Sequence, residues 1–408
     1  MAYTFTTNIT KDEHDAFVTV HEYCNLLQSA SWAKVKDNWK SLLAGVRDGN
    51  NKLVASSLVL IKPLPLGFTM YYLPKGPVMD FHNQEIINTY FVGLKKYSKK
   101  DHCIFIKVDP GIHVNDYKSS EYNTNRYEDT EEYINHMKQV GGKHLGFTMH
   151  IADTIQPRFQ SNVYKCDDFE ESLPRHTKRL MKDALKRNVE VEMGGIEFAE
   201  EFARLVELTE ERKGVHLRNL EYFKKLCEAY PTDAKIFLAS VDLEALYHEY
   251  IKKHEDIEKE IEECPENAKK KLRRLQDMER SLEKDVKEFK EIFDEMDQVK
   301  GTIHIAGVLS IRYGHTCEML YAGMDQRFKK FMPQYYIYVK NMKWAFENGC
   351  GTCNMGGVEG SLDDGLTKFK DNFNPMINEF IGEFDIPVNK LVYPFFNFVY
   401  KRLKERNR

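Results

Sequence analysis

The chain has 408 residues and a formal net charge of -4, from 59 basic and 63 acidic side chains. It is too long for one ordinary hydrophobic core, so we expect two domains. The charge balance argues against a strongly basic nucleic-acid binder, although local basic patches are compatible with it. The eight cysteines lack the spacing of a secreted disulfide scaffold, and the N-terminus lacks a signal-peptide pattern, so we expect a cytoplasmic protein.

The first third of the chain alternates between helical and strand patterns. The predicted elements are a helix over Ser31–Leu43, strands over Leu53–Ile61 and Phe68–Leu73, a helix over Gln84–Lys99, and a buried strand over Cys103–Val108. Asp109 follows that last strand directly. The chain contains no run of about 18 apolar residues, so nothing in it is expected to cross a bilayer.

The same alternation continues after Gly146. The predicted elements are a strand over Phe147–Ile151, a basic helix over Pro174–Lys186, a strand over Val189–Met193, helices over Ile196–Lys213 and Tyr222–Ala229, a strand over Ala234–Val241, strands over Ile303–Tyr313 and Cys317–Tyr321, a helix over Gln334–Asn348, and a short strand over Thr352–Met355. Both halves therefore contain mixed α/β units in a similar order, which favours a duplicated architecture.

Between Leu243 and Val299 the apolar residues recur at alternating steps of three and four, and the pattern folds back at Cys264–Asn267. The predicted seam consists of Leu243, Tyr247, Tyr250, His254, Ile257 and Ile261 on the first limb, and Leu272, Leu275, Leu282, Val286, Phe289, Phe293 and Met296 on the second. This pattern predicts an antiparallel coiled-coil arm inserted into a domain, reaching about 30 to 40 Å. Such a reach suggests a large partner; a solvated spacer or a dimerisation hairpin is the alternative.

The C-terminus combines aromatic and cationic residues. The apolar and aromatic stretch Leu391–Tyr400 runs into the basic segment Lys401–Arg408. We expect this stretch to pack on the core with a solvated basic tail. Aromatic residues followed by cations also suit a membrane surface, which is the alternative.

Common catalytic signatures are absent from the sequence. Cys350 and Cys353 are three apart, but no second pair or nearby histidine completes a zinc site. The Walker loop, the Rossmann fingerprint and the Gly-Xaa-Ser-Xaa-Gly elbow do not occur. We therefore expect no metal, no cofactor and no nucleotide hydrolysis. The remaining candidates are cations close to aromatic residues, which fit a phosphorylated substrate or, equally, an ordinary surface.

A set of short motifs occurs in a specific order along the whole chain. They are Leu27–Trp32 with Lys36, Pro74–Pro77, Asp153–Arg158, Glu211–Lys213 leading to His216–Arg218, Leu320–Asp325, Gly356–Glu359, and Gly365–Leu366 leading to Phe369–Lys370 and Phe373–Pro375. In these motifs the chain resembles the Fem family of aminoacyl-tRNA-dependent peptidyltransferases, and within it the MurM and MurN branch.

The resemblance implies an α/β fold with two GNAT-like acyltransferase domains and an inserted antiparallel coiled-coil arm. The implied division is 1–145 plus 376–408 for the first domain, 146–242 plus 300–375 for the second, and 243–299 for the arm.

The resemblance also implies an activity. Family members transfer an amino acid from aminoacyl-tRNA to the stem-peptide lysine, or to the first bridge residue, of the lipid-linked peptidoglycan precursor, lipid II. The expected protein is thus a transferase of cell-wall biogenesis that works peripherally at the inner face of the cell membrane. Ser or Ala is the preferred amino acid and Gly is possible. The oligomeric state and a tRNA-binding role for the arm stay open.

Residue roles follow from the same resemblance, position by position. Lys36 and Arg218 are expected to hold the diphosphate of the precursor, in a groove shaped by Tyr222 and Tyr321. Trp32 and Phe369 belong to the same substrate-binding motifs. Lys370 is expected near the tRNA terminus, where a lysine cation could stabilise the oxyanion of the tetrahedral intermediate.

Asp109 matches an acidic family position that could transfer protons, although a carboxylate that closes a strand is commonly structural. Two other classes of function stay open at this stage. One is an acyl-CoA-dependent N-acyltransferase, whose pyrophosphate loop this sequence lacks. The other is a coiled-coil scaffold protein without turnover.

Overall fold

The computed structural model describes residues 2–214, 218–265 and 267–398, except for the side chains of Arg212 and Lys213. The motif residues His216 and Leu217 lie outside these ranges.

The described residues form two mixed β-sheets surrounded by helices. The strands are β1 Thr4–Thr6, β2 Lys40–Arg47, β3 Leu53–Pro63, β4 Thr69–Leu73, β5 Val78–Met79, β6 Cys103–Val108, β7 His113–Tyr117, β8 Lys143–His144, β9 Phe159–Tyr164, β10 Glu190–Gly194, β11 Ala234–Asp242, β12 Thr302–Tyr313, β13 Thr316–Met324, β14 Thr352–Gly357, β15 Met376–Phe380 and β16 Phe384–Pro387. The helices are α1 Lys11–Val18, α2 Trp32–Val35, α3 Gln84–Ser98, α4 Thr130–Gln139, α5 Phe169–Ser172, α6 Arg175–Lys186, α7 Ala199–Lys213, α8 Leu220–Ala229, α9 Leu243–Glu262, α10 Lys269–Glu295, α11 Pro333–Glu347 and α12 Gly365–Asp371.

The first sheet has the strand order β1-β2-β3-β4-β6-β16-β8, with β5 paired to β3. The second has the order β10-β11-β12-β13-β14-β9-β15-β7. Among the pairs of the described strands, β4 with β6 and β13 with β14 are parallel and the others are antiparallel. The fold is therefore α/β, as predicted.

The sheets exchange strands across the predicted domain limits. Strand β16 returns to β6 in the first sheet, whereas β15 and β7 both lie in the second sheet. The division into 1–145 plus 376–408 and 146–242 plus 300–375 stays a prediction, and in the structure the segments 113–117 and 376–380 extend the sheet of the other half.

A shared apolar core joins the two sheets. It includes Tyr72 and Phe105 from the first sheet, Leu309 from the second, and Phe202 and Phe223 from α7 and α8. All of these side chains are buried. Trp32 belongs to the same core, so α2 is anchored at the junction of the two halves.

The arm is a helical hairpin inserted between β11 and β12. Its helices α9 and α10 contact each other through ring pairs, with centroid distances of 4.7 Å for Tyr250 and Phe289 and 5.8 Å for Tyr247 and Phe293. Phe289 also packs on Phe331 of the body, at 5.4 Å. The predicted seam residues are all buried or partly buried.

Two predicted elements are wrong. The helix predicted over Ser31–Leu43 ends at Val35, because Lys36 leaves the helical region and residues 40–47 pair with β3 as strand β2. The strand predicted over Phe147–Ile151 is irregular backbone that makes isolated hydrogen bonds, such as Gly360 N–H to Met149 O.

Candidate functional site

The structure brings five of the predicted site residues together in what we call the phosphate cluster: Trp32, Lys36, Arg218, Tyr222 and Tyr321. The Lys36 Nζ lies 5.9 Å from the centre of the Trp32 ring. The Arg218 Cζ lies 4.9 Å from the Tyr222 ring, and its guanidinium hydrogen-bonds the Tyr321 hydroxyl. The rings of Tyr222 and Tyr321 meet edge to face, with centroids 6.0 Å apart. The cluster therefore places two cations over three aromatic rings.

Local capping sets the positions of these side chains. Lys36 is the residue at which α2 ends, so its side chain leaves the helix at the turn. The Asn219 side chain accepts a hydrogen bond from the Tyr222 N–H and thereby caps α8. An ion pair of 2.7 Å between Lys225 and Asp37 links α8 to the segment after α2. Residues from both halves of the chain thus meet at one place.

The electrostatics of the phosphate cluster favour an anion. Burial, and then the positive charge of Arg218, lower the pKa of Lys36. The effect of Arg218 on this pKa means that the two cations are close enough to repel each other. A doubly charged anion placed between them would remove that repulsion and gain charge-assisted hydrogen bonds.

Asp109 lies in a second, deeply buried group of charges. Its carboxylate accepts hydrogen bonds from the Lys75 backbone N–H at 2.7 Å and from the Tyr72 hydroxyl at 3.1 Å. Burial raises the pKa of Asp109 to about 7, although the Lys75 ammonium acts in the opposite direction. This carboxyl can hold or release a proton near neutral pH.

Glu318 completes this group, and the sequence analysis missed it. Burial raises its pKa to about 7 against the effect of Lys75, and its side chain hydrogen-bonds Asn354. The Lys75 Nζ lies 3.7 Å from the centre of the Phe380 ring. Thus Asp109 from the first sheet and Glu318 from the second share one buried lysine. An acidic residue inside the apolar strand pattern Cys317–Tyr321 was the available signal.

Lys370 lies beside this group, at the end of α12. The Asp364 side chain caps α12, and the Lys370 Nζ donates to Gly356 O at 3.0 Å and to Gly357 O at 2.9 Å. The Gly356 N–H in turn donates to Asn354 Oδ1 at 2.7 Å. A chain of polar contacts therefore runs from Lys370 through Gly356 and Asn354 to Glu318.

Phe369 points into a different environment. Its ring packs against Tyr335, Tyr338 and Phe373, with centroid distances of 5.3 to 5.6 Å. These contacts place Phe369 in an aromatic group next to Lys370, which shares no residue with the phosphate cluster. Tyr72 connects the phosphate cluster to the buried charges around Asp109. Its ring lies in the shared core with Trp32, and its hydroxyl donates to Asp109.

The cysteine pair Cys350 and Cys353 is buried and both thiols are free. Burial raises the pKa of Cys350 to about 12, and its Sγ donates to Thr316 O at 3.5 Å. A thiol with a raised pKa is a poor nucleophile and a poor metal ligand near neutral pH. The pair therefore has a packing role in the structure.

Comparison with known proteins adds a family to this geometry. The model of the FemAB family matches residues 9–401. The chain belongs to the FemAB family. Proteins named "Lipid II:glycine glycyltransferase" are similar to it: that of Staphylococcus aureus strain MSSA476 is 30% identical over 428 residues, and that of Staphylococcus epidermidis strain RP62A is 29% identical over 416 residues. Each alignment covers 97% of this chain and 96% of the relative.

Among solved structures, the FemAB protein is similar to "Crystal structure of FemX", with a TM-score of 0.75 and 27% identity. That alignment covers 97% of this chain and 99% of the FemX chain. The predicted Fem family membership and the α/β fold class are thereby confirmed. Within the described part of the FemAB protein, no helix combines the length and apolarity that a membrane crossing requires.

Proposed function

We propose that this FemAB protein transfers a small amino acid from aminoacyl-tRNA to the stem-peptide lysine, or to the first bridge residue, of lipid II. The observation that carries the proposal is the phosphate cluster, in which Lys36 and Arg218 lie over aromatic rings and the charge of Arg218 lowers the pKa of Lys36. The relatives named for lipid II and glycine support the same substrate class.

In this proposal the phosphate cluster binds the diphosphate of the acceptor. Each phosphate takes hydrogen bonds from one of the two cations, and Arg218 offers the planar fork that suits phosphate oxygens. The aromatic rings of Trp32, Tyr222 and Tyr321 give the site an apolar wall, which strengthens the charged hydrogen bonds by excluding water.

The chemistry requires alignment more than activation, because the ester between the amino acid and the tRNA ribose is already reactive. The acceptor nitrogen forms a bond to the ester carbonyl carbon and loses a proton, and the bond to the ribose oxygen breaks as that oxygen takes up a proton and leaves as the ribose hydroxyl. Asp109 and Glu318, whose pKa values are about 7, are the candidate proton acceptors. Binding the two substrates next to each other supplies the rest through proximity.

Lys370 keeps its proposed role next to the developing oxyanion. Lys370 is 4% exposed, and its ammonium donates to the carbonyl oxygens of Gly356 and Gly357 at the end of β14. A cation fixed in this way requires little reorganisation during the reaction. Lys370→Met should therefore lower the single-turnover rate when both substrates saturate the enzyme. An unchanged rate would show that Lys370 has no catalytic role.

The arm is proposed to assist tRNA docking. The cations Lys269, Lys270, Lys271, Arg273 and Arg274 are exposed around the start of α10, close to the turn of the hairpin. Deleting 246–298 and closing the gap with a short linker should raise the tRNA concentration required more than the lipid II concentration. Equal effects on both substrates would assign the arm a structural role.

The decisive experiment offers the purified protein lipid II together with a mixture of glycyl-, alanyl- and seryl-tRNA, and identifies the product by mass. The resemblance to the MurM and MurN branch favours Ser or Ala, whereas the relatives are named for glycine, so the mass of the product decides among the three. Lys36→Met should abolish transfer, and Lys34→Met is the matched control because Lys34 is an exposed cation on the same short helix. No transfer from any charged tRNA, or transfer from an acyl-CoA instead, would refute the proposal.

A further inference from the structure

The outer half of the arm, residues 251–288, has a thin apolar seam. Among its described residues, the buried ones are Ile257 and Leu275. The inner half is different, because Tyr250 and Phe289 pack on each other and Phe289 also packs on the body. Two buried side chains supply little of the apolar contact that stabilises paired helices in water. The outer half therefore depends on other interactions between α9 and α10.

A polar side chain occupies the seam at this point. His254 lies about one helical turn before Ile257 on α9, at a position where the seam pattern calls for an apolar residue. Its side chain is 22% exposed, so it is largely shielded from water. Polar residues at seam positions lower the stability of a coiled coil and serve specific interactions instead.

Two glutamates meet His254 between the helices. Glu258 follows it by four residues on α9, so the two side chains lie on one face, and Glu258 Oε2 is 3.6 Å from His254 Nδ1. Glu279 comes from α10. One ring nitrogen of His254 and one carboxylate oxygen of each glutamate all lie within 4.8 Å of one another. Three potential ligand atoms from two helices thus converge at one place.

These donor atoms match a divalent transition-metal ion. Zn²⁺ binds imidazole nitrogen and carboxylate oxygen at about 2.0 to 2.2 Å, so two ligand atoms of a tetrahedral ion lie about 3.4 Å apart. Small side-chain rotations bring atoms that lie within 4.8 Å of one another to that separation. A fourth ligand would come from water. The imidazole favours ions of the Zn²⁺ type over Ca²⁺ and Mg²⁺, which take oxygen ligands.

The charges of the cluster also favour a cation. Elsewhere on the arm a carboxylate can pair with a cation of its own helix, as Glu249 does with Lys253 at 2.5 Å. Within the described ranges of the chain, neither Glu258 nor Glu279 forms an ion pair with a lysine or an arginine. Two neighbouring carboxylates repel each other, and a doubly positive ion between them removes that repulsion.

We propose that His254, Glu258 and Glu279 form a binding site for a divalent transition-metal ion of the Zn²⁺ type, which joins α9 to α10 in the outer half of the arm. None of these residues belongs to the phosphate cluster or to the buried charges around Asp109, so the ion has a structural role and the proposal does not depend on the proposed function. The expectation of no metal came from the cysteine pair and from catalytic motifs. It missed this site because the third ligand lies on the other limb of the hairpin.

Calorimetry with Zn²⁺ alone tests the site. The full chain, stripped of metal by a chelator that is then removed, should bind Zn²⁺ at a tight site that Mg²⁺ and Ca²⁺ do not fill. His254→Leu removes a ligand and places an apolar side chain in the seam, so the arm keeps its packing. This variant, and Glu279→Gln, should each weaken the binding by more than about tenfold, because loss of even a hydrogen-bond partner of a ligand weakens metal binding about 10- to 100-fold.

Matched controls alter residues of the same kind on the same helices. His248→Leu replaces an exposed histidine of α9, and Glu283→Gln replaces an exposed glutamate of α10. Both controls should bind Zn²⁺ as the wild type does. Equal affinity in the wild type and His254→Leu, or an equal loss in the controls, overturns the proposal. Binding of Ca²⁺ as tight as that of Zn²⁺ would identify an ordinary acidic surface and overturn it as well.

Hydrogen exchange tests the structural consequence. Saturating Zn²⁺ should slow amide exchange in residues 251–288 of the wild type, because the ion holds α9 and α10 together, and should leave exchange in His254→Leu unchanged. Slower exchange confined to other parts of the chain, or no change while Zn²⁺ is bound, would overturn the proposal. A wild type that binds Zn²⁺ in this way but transfers no amino acid would reject the proposed function and keep the metal site.

Discussion

Replacing Asp109 by asparagine should remove part of the pH dependence of folding. Asp109 is 3% exposed, and burial raises its pKa from 3.8 to about 7. Between these two values the folded state holds a proton that the unfolded state has released, so the free energy of unfolding falls as the pH rises. Asparagine keeps the shape of the side chain and can still pair with Tyr72 and with the Lys75 N–H.

The size of the effect follows from the two pKa values. With 1.36 kcal/mol per pKa unit, Asp109 disfavours the folded state by about 2 kcal/mol at about pH 5.5 and by about 4 kcal/mol at about pH 8.5. Asp109→Asn should therefore be more stabilising at the higher pH, by about 2 kcal/mol. The substitution also removes one carboxylate beside Lys75. A cost of that loss that is the same at both pH values cancels in the difference.

Urea denaturation of both proteins at the two pH values measures this difference directly. Asp12→Asn, at an exposed carboxylate in the first turn of α1, is the matched control and should leave the pH dependence as in the wild type. If Asp109→Asn shows the same change in stability between the two pH values as the wild type, the carboxyl does not take up a proton on folding and our view of this buried group is wrong.

Three further variants test other parts of the structure. Lys107→Met should lower the free energy of unfolding by about 3 to 5 kcal/mol, because it leaves two buried carboxylates without a counter-ion. These are Glu383 and Asp385, whose oxygens lie 2.9 and 2.7 Å from the Lys107 Nζ. Urea denaturation measures the change, and a loss below about 1 kcal/mol would contradict the prediction. Phe289→Ala should cost about 3 to 5 kcal/mol, because this fully buried ring joins the arm to the body; a stability like that of wild type would mean that the arm folds independently. Lys36→Met and Arg218→Met should each weaken the binding of a diphosphate-containing precursor in calorimetry, and the double variant should lose less affinity than the sum of the two single losses; additive losses would show that the two cations bind separate groups.

Helices and the arm could be predicted from the sequence because their signal is local. A period of three to four residues is complete within one helix, as in Gln84–Ser98, which was predicted to within one residue. Strands β7, β15 and β16 were missed, because their partners lie far away in the chain: β16 pairs with β6 from more than 250 residues earlier. Short strands of mixed polarity carry little pattern of their own, and tertiary pairing decides them.

The same distinction holds for the candidate site. Motif resemblance could indicate Lys36, Arg218 and Tyr321, and the structure brings these residues together. It gave no role to Glu318, because the raised pKa of this carboxyl arises from its burial in the packed fold, against the effect of the Lys75 charge. Such an environment depends on the packed fold, and no spacing along the chain encodes it.

The exchange of strands between the sheets has a consequence for dissecting this protein. A fragment expressed as 146–375 would lack β7 and β15. Strand β9, Phe159–Tyr164, would then be an unpaired edge strand whose amide and carbonyl groups are open to pairing with other molecules. Such a fragment should aggregate, and adding back the missing segments on a second polypeptide should restore solubility. The two halves are therefore interlocked parts that fold together, which keeps the residues that each half contributes to the phosphate cluster in fixed alignment.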